Sequence, residues 1–178
     1  MLTTTTAPLA ARDAASPDDV PQMLIEATTR SLVQAFGKMI GETEVSMPED
    51  DAGEMEGVVG LISFVGDVTW SLALMFPPSA AEALALKFAG FAIEYESSDM
   101  GDVVGEIANV LAGVICGELE GEGAKCIMSL PTVTRGQHVE LLLGGHLTAC
   151  RLAARAAGHE FAVRLIVSKA SFVPHLIC

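Results

Sequence analysis

Basic residues are scarce in this chain. Ten Lys+Arg stand against 23 Asp+Glu, a formal net charge of -13. That balance excludes a nucleic-acid surface, because neutralising phosphates takes a clustered set of cations. An acidic surface also repels anionic lipid headgroups, so no membrane is expected as a partner. No run of about eighteen uncharged apolar residues occurs, and no membrane span is expected. The stretch from Met1 to Pro8 lacks both a basic start and an apolar run, so it is not read as a secretory signal. The cysteines (Cys116, Cys126, Cys150 and Cys178) form no CxxC pair. They are read as reduced, mostly buried thiols of a cytoplasmic protein.

The usual constellations of catalytic chemistry are missing as well. His138, His146, His159 and His175 make no i, i+4 pair on a helix, and none lies at ligand spacing from a carboxylate or thiol. No intrinsic metal site is expected from them. There is no GxSxG, and neither Ser129 nor Cys116 has a recognisable base beside it. The 17 glycines are not arranged as GxxxxGK[ST] or as GxGxxG between a strand and a helix. Gly121-Glu122-Gly123 follows a helical pattern rather than opening one, which is the wrong polarity for a phosphate cradle.

Apolar residues, in contrast, make up 51% of the chain, enough for a packed core. Residues 1–17 are Thr/Ala/Pro-rich and aperiodic, and are expected to be a mobile tail before one domain over 18–178. Apolar spacing predicts a helix over 20–40, ended by Gly41, then an acidic loop or irregular edge strand over 42–53. Strands over 55–65 and 68–76 read as a hairpin about Gly66-Asp67, the second with one face toward the core and one less buried. Pro77-Pro78-Ser79 opens a helix to Phe88, closed by Gly90. Ser98 or Asp99 caps a long helix over 99–120. A short strand over 124–130, a loop at Arg135-Gly136 and a weak strand over 138–143 follow. Strands over 146–156 and 161–167 then flank a turn at Gly158-His159, and an irregular tail runs from Ser171. No internal repeat is evident. The expected class is α+β: an antiparallel sheet of hairpins with helices packed on one face.

One stretch is unusual. On the long helix, Asp102, Glu106, Asn109 and Gly113 stand at i, i+4, i+7 and i+11. At ~100° per residue they fall within roughly 60° of one another. Val103, Ile107, Val110 and Val114 form an apolar stripe beside them, widened by Val104, Leu111 and Ile115. Gly105, Ala112, Cys116 and Gly117 border the polar strip with small side chains, which would let another surface approach. A solvated helix face explains the acids, since Asp102 suits the helix N-terminus. It explains Asn109 less well, because a mid-helix amide competes for backbone hydrogen bonds.

The run Asp102-x3-Glu106-x2-Asn109-x3-Gly113, with Ser129-Leu130-Pro131-Thr132-Val133 on a later segment, resembles the signature of the CheX/CheC chemotaxis phosphatases. The specific part of the resemblance covers residues 102–136. A single motif on the single long helix makes the chain CheX-like rather than CheC-like. The resemblance implies a CheX-like α+β fold and removal of the phosphoryl group from the aspartate of a receiver domain. It gives Asn109 the role of orienting the attacking water and Glu106 that of pairing with the receiver's lysine. Asp102 takes a supporting part, Gly105, Ala112 and Gly113 give access, and Pro131 shapes the neighbouring loop. It implies no cofactor of the chain's own, the Mg2+ coming with the receiver, and a homodimer joined through extended sheets. A non-catalytic regulatory or scaffolding module that binds a signalling protein through the same helix is the alternative, and a structural subunit with a coincidental motif is a third.

Overall fold

A computed structural model describes residues 20–48 and 54–168 of the chain. The elements run α1 (Gln22–Met39), β1 (Thr43–Ser46), β2 (Glu54–Gly66), β3 (Trp70–Phe76), α2 (Pro78–Ala89), α3 (Asp99–Gly121), β4 (Cys126–Met128), β5 (Thr132–Glu140), β6 (Leu147–Ala156) and β7 (His159–Ser168). The fold is α+β. One antiparallel sheet has the order β1-β6-β7-β3-β2, and β4 and β5 share the outer edge of β2 one after the other. The expected tails, residues 1–17 and from Ser171 on, lie outside the described residues.

Helix spacing explains why three helices settle on one sheet face. In α1, Leu24, Ala27, Leu32, Ala35 and Phe36 recur at helical spacing and are buried. Alternate strand positions face them: Val58, Ile62 and Phe64 from β2, Trp70, Leu72, Leu74 and Phe76 from β3, and Phe161, Val163, Leu165 and Val167 from β7. The cross-strand pair Phe64 and Trp70 stacks at 4.0 Å between ring centroids, and Phe161 meets both Phe36 and Phe76.

Several details depart from the sequence-based expectation. β3 is buried on both faces rather than one. Val59, Ala73, Met75 and Ala162 form a second cluster on the helix-free face, joined by Leu61, Val139 and Leu141. The loop expected at Arg135-Gly136 is the middle of β5, held because β2 is long and offers its outer edge; a bulge between Met55 and Gly57 adjusts the register. β4 is three residues long, since β2 turns away at Gly66. A Cβ on Gly66 would stand 2.0 Å from the Lys125 carbonyl oxygen, so only glycine fits there. The β6–β7 turn is Ala157-Gly158, not Gly158-His159. Both residues have positive φ (51° and 81°), the two-residue hairpin whose twist matches its strands.

Candidate functional site

The site is built on α3, and its position follows from how that helix is seated. Met100, Val104, Ile107, Ala108, Leu111, Ile115 and Leu119 are its buried stripe. By length and composition α3 could cross a membrane; in this fold its apolar face is taken up by the core. Val103, Val110 and Val114, expected at the centre of that stripe, are half-buried flanks. The centre is displaced because α3 crosses β2 at Gly60, where an added Cβ would stand 3.2 Å from Val104 Cγ1 and 3.5 Å from Ala108 Cβ. Small residues on both partners permit this close crossing.

At ~100° per residue, the strip of Asp102, Glu106, Asn109 and Gly113 then lies roughly 170° from the middle of the buried stripe. Asp102, Glu106 and Gly113 are exposed and Asn109 is half-buried. The structure therefore brings the four onto one outward face. Asp99 and Asp102 occupy the first turn, where negative charge suits the helix dipole.

The bordering small residues divide into two kinds. Nothing lies within 4 Å of a Cβ built on Gly113 or Gly117. Gly105 and Ala112 are different, and the expectation that they give access is corrected. Both are buried. Gly105 lies against Val133 Cγ2 and Pro131 Cγ, at 3.6 and 3.7 Å from its built Cβ, and Ala112 belongs to the main core. Their small size serves packing inside the chain. Pro131 is thus a side wall of α3, next to the strip rather than remote from it.

Three features that support the site were not read from the sequence. Arg135, expected in a loop, reaches from β5 to the segment preceding α3. Its guanidinium donates to the carbonyls of Tyr95, Glu96 and Ser97, the last two at 3.0 Å, and lies 5.5 Å from the Tyr95 ring centroid. Burial pushes the Tyr95 phenol above its ordinary pKa, the Arg135 charge opposing. The helix start expected at Ser98 or Asp99 is aided by Ser97, whose Oγ accepts the Asp99 N–H at 3.1 Å. At the other end, Arg30 of α1 donates to Glu118 Oε2 at 2.9 Å and to Glu122. That cation offsets acids at a helix C-terminus, where they are unfavourable. Single arginines and serines carry no periodic signal, so only tertiary contacts reveal these roles.

Cys116 and Cys126 bring their thiols to 2.9 Å between α3 and β4. Burial, reinforced by the Cys126 thiol, pushes Cys116 up to about 12. Cys116 and Cys126 form no disulfide. Among the described residues no group of three His, Cys, Asp or Glu side chains could hold a metal ion. What the strip offers is a carboxylate and an amide on an outward face, which suits insertion into another protein's site better than enclosure of a small molecule.

Residues 58–151 match the family model of the chemotaxis phosphatase CheX. Similar solved structures include a CheC-like superfamily protein from Shewanella sp. PV-4 (TM-score 0.71, 20% identity, covering 83% of this chain and 98% of that one). A chemotaxis protein CheX from Desulfovibrio desulfuricans matches with TM-score 0.71 at 17% identity, covering 82% and 99%. A third is the CheX of Borrelia burgdorferi, solved in complex with CheY, BeF3 and Mg2+ (TM-score 0.67, 16% identity, 81% and 96% covered). No curated protein matches the chain.

Proposed function

Since this chain belongs to the CheX family of chemotaxis phosphatases, we propose that it hydrolyses the aspartyl phosphate of a response-regulator receiver domain, with Glu106 and Asn109 as the residues that enter the partner's site. The observation that carries the reading is the outward face of α3. It presents a carboxylate and an amide one turn apart, opposite the core, with open space at Gly113.

The chemistry asks little of such a protein. An acyl phosphate is already activated, and the receiver brings its own lysine and Mg2+. Hydrolysis needs one water held in line with the scissile P–O bond, and positioning of that kind supplies much of the acceleration. The Asn109 amide both donates and accepts hydrogen bonds without carrying charge, so it can hold the water without repelling the phosphoryl group. Glu106 pairs with the receiver's lysine and fixes the register of the helix. Asp102 adds negative charge to the same face, and Pro131 holds the wall beside it. The solved complex of the Borrelia burgdorferi CheX with CheY supports a receiver domain as the partner. The same reading places the protein in the cytoplasm, and as a homodimer through sheet edges. Among the described residues β1 pairs only with Ala153–Ala156 of the ten-residue β6, and the strand edge beyond that pairing is where a second copy would add.

Phosphate release from phosphorylated receivers of the same cell tests the reading. Wild-type protein accelerates release, and Asn109→Ala lowers kcat roughly 100-fold while binding to a beryllofluoride-activated receiver persists. Binding without acceleration by the wild type assigns the chain to the non-catalytic alternative. Glu106→Lys weakens binding about tenfold; an unchanged affinity removes the lysine pairing.

A further inference from the structure

Leu130 is 86% exposed, the most exposed of the large apolar side chains described. Its backbone is nevertheless held firmly. The Ser129 N–H donates to the Ser63 carbonyl at 2.8 Å, and the Ser63 N–H donates to Ser129 Oγ at 3.0 Å. Ser129 Oγ in turn donates to the Leu130 carbonyl at 2.9 Å. On the other side Pro131 rests against Gly105, the residue before Glu106. A leucine is thus presented outward on a fixed support, one residue before the proline that packs against the helix carrying the acid/amide strip.

A connection between strands usually carries polar residues, because an exposed leucine gains nothing from water. An exposed apolar side chain on a fixed backbone costs less ordering on binding than one on a mobile loop, so it makes an effective anchor. The strip itself lacks such an anchor: Glu106 and Asn109 are polar, and Gly113 and Gly117 offer no side chain. Opposite charges steer an encounter, and a buried apolar contact slows its dissociation.

We propose that Leu130 is the apolar anchor that docks this protein onto the receiver domain, at the rim of the phosphoaspartate site that Glu106 and Asn109 enter. The inference rests on the receiver-phosphatase reading and adds a recognition residue to it. Leu130 acts in binding and not in the chemical step.

Ile127 supplies a control. It is 78% exposed, but its neighbours Cys126 and Met128 pack against the helix-side core, so it points to the opposite sheet face. Receiver binding and phosphate release are measured for the wild type, Leu130→Ala, Leu130→Met and Ile127→Ala. The beryllofluoride-activated receiver serves for binding and the phosphorylated receiver for turnover. Leu130→Ala raises Kd and KM about tenfold and leaves kcat within about twofold, while Leu130→Met restores both constants and Ile127→Ala matches the wild type. The melting temperature of Leu130→Ala stays that of the wild type, since the removed side chain is exposed. If Leu130→Ala binds as the wild type does while Asn109→Ala abolishes turnover, the anchor is overturned and the phosphatase reading stands. If the wild type neither binds nor dephosphorylates any receiver, both fall.

Discussion

In the proposed mechanism a single amide, that of Asn109, separates a catalytic face from a merely acidic one. Asn109→Asp keeps the size of the side chain but replaces a donor and acceptor with an anion. Repulsion of the phosphoryl group should make it at least as slow as Asn109→Ala, roughly 100-fold below wild type, with the circular-dichroism melt unchanged. The cysteines allow a check that is independent of any partner. Burial, above all, pushes the Cys116 thiol up to about 12. A raised pKa keeps the thiol protonated at pH 8, and the thiolate is the reactive form. Iodoacetamide at pH 8 should therefore label Cys116 much more slowly in the folded protein than in urea. Equal rates would contradict the packing of α3 against β4.

At the scale of the element, α3 does two jobs on opposite faces, and its glycines separate them. Gly105 faces Pro131 and Val133 with room for a methyl group at ordinary contact distance, 3.6 and 3.7 Å. Gly105→Ala should stabilise the helix by about 0.5–1 kcal/mol in urea melts and leave turnover unchanged. A loss of activity in that variant would restore Gly105 to partner access, the role first expected of it. Gly113 faces open space on the strip side. Gly113→Leu should fold and melt like the wild type yet lower kcat/KM at least tenfold, by keeping the receiver off the helix. The pair reads the two faces independently, because one change is internal and the other external.

In the whole molecule, the sheet sets what α3 can present. Three helices cover one face, so α3 lies across β2 with its strip turned to the outside. Among the described residues β1 pairs with β6 only over Ala153–Ala156. We expect edge pairing to give a homodimer. Light scattering behind size exclusion should then return about twice the 18.6 kDa chain mass. A single chain mass at micromolar concentration would remove that expectation.

Much of this was legible in one dimension. Helical and alternating periodicities are local, so the three helices and strands β2, β3 and β7 could be read from spacing, and β6, whose alanines favour helix, from the glycines that bracket it like a hairpin arm. So could the shared face of Asp102, Glu106, Asn109 and Gly113, since the pitch of a helix places side chains at i, i+4, i+7 and i+11 whatever surrounds it. β5 could not be read, because its pattern is weak and its pairing comes from the exposed edge of β2, a partner many residues away. Nor could the loss of Gly105 and Ala112 from the access face. Which side of a helix counts as inside is decided by what packs there, and Pro131, Val133 and Gly60 come from other parts of the chain. The clasp of Arg135 on the segment before α3 and the firm display of Leu130 have the same origin. The acid/amide strip was thus determined by the sequence itself, through local helix geometry. Its walls, its open side and its apolar rim were decided by tertiary structure, because only long-range packing brings β2, β4 and β5 against one helix.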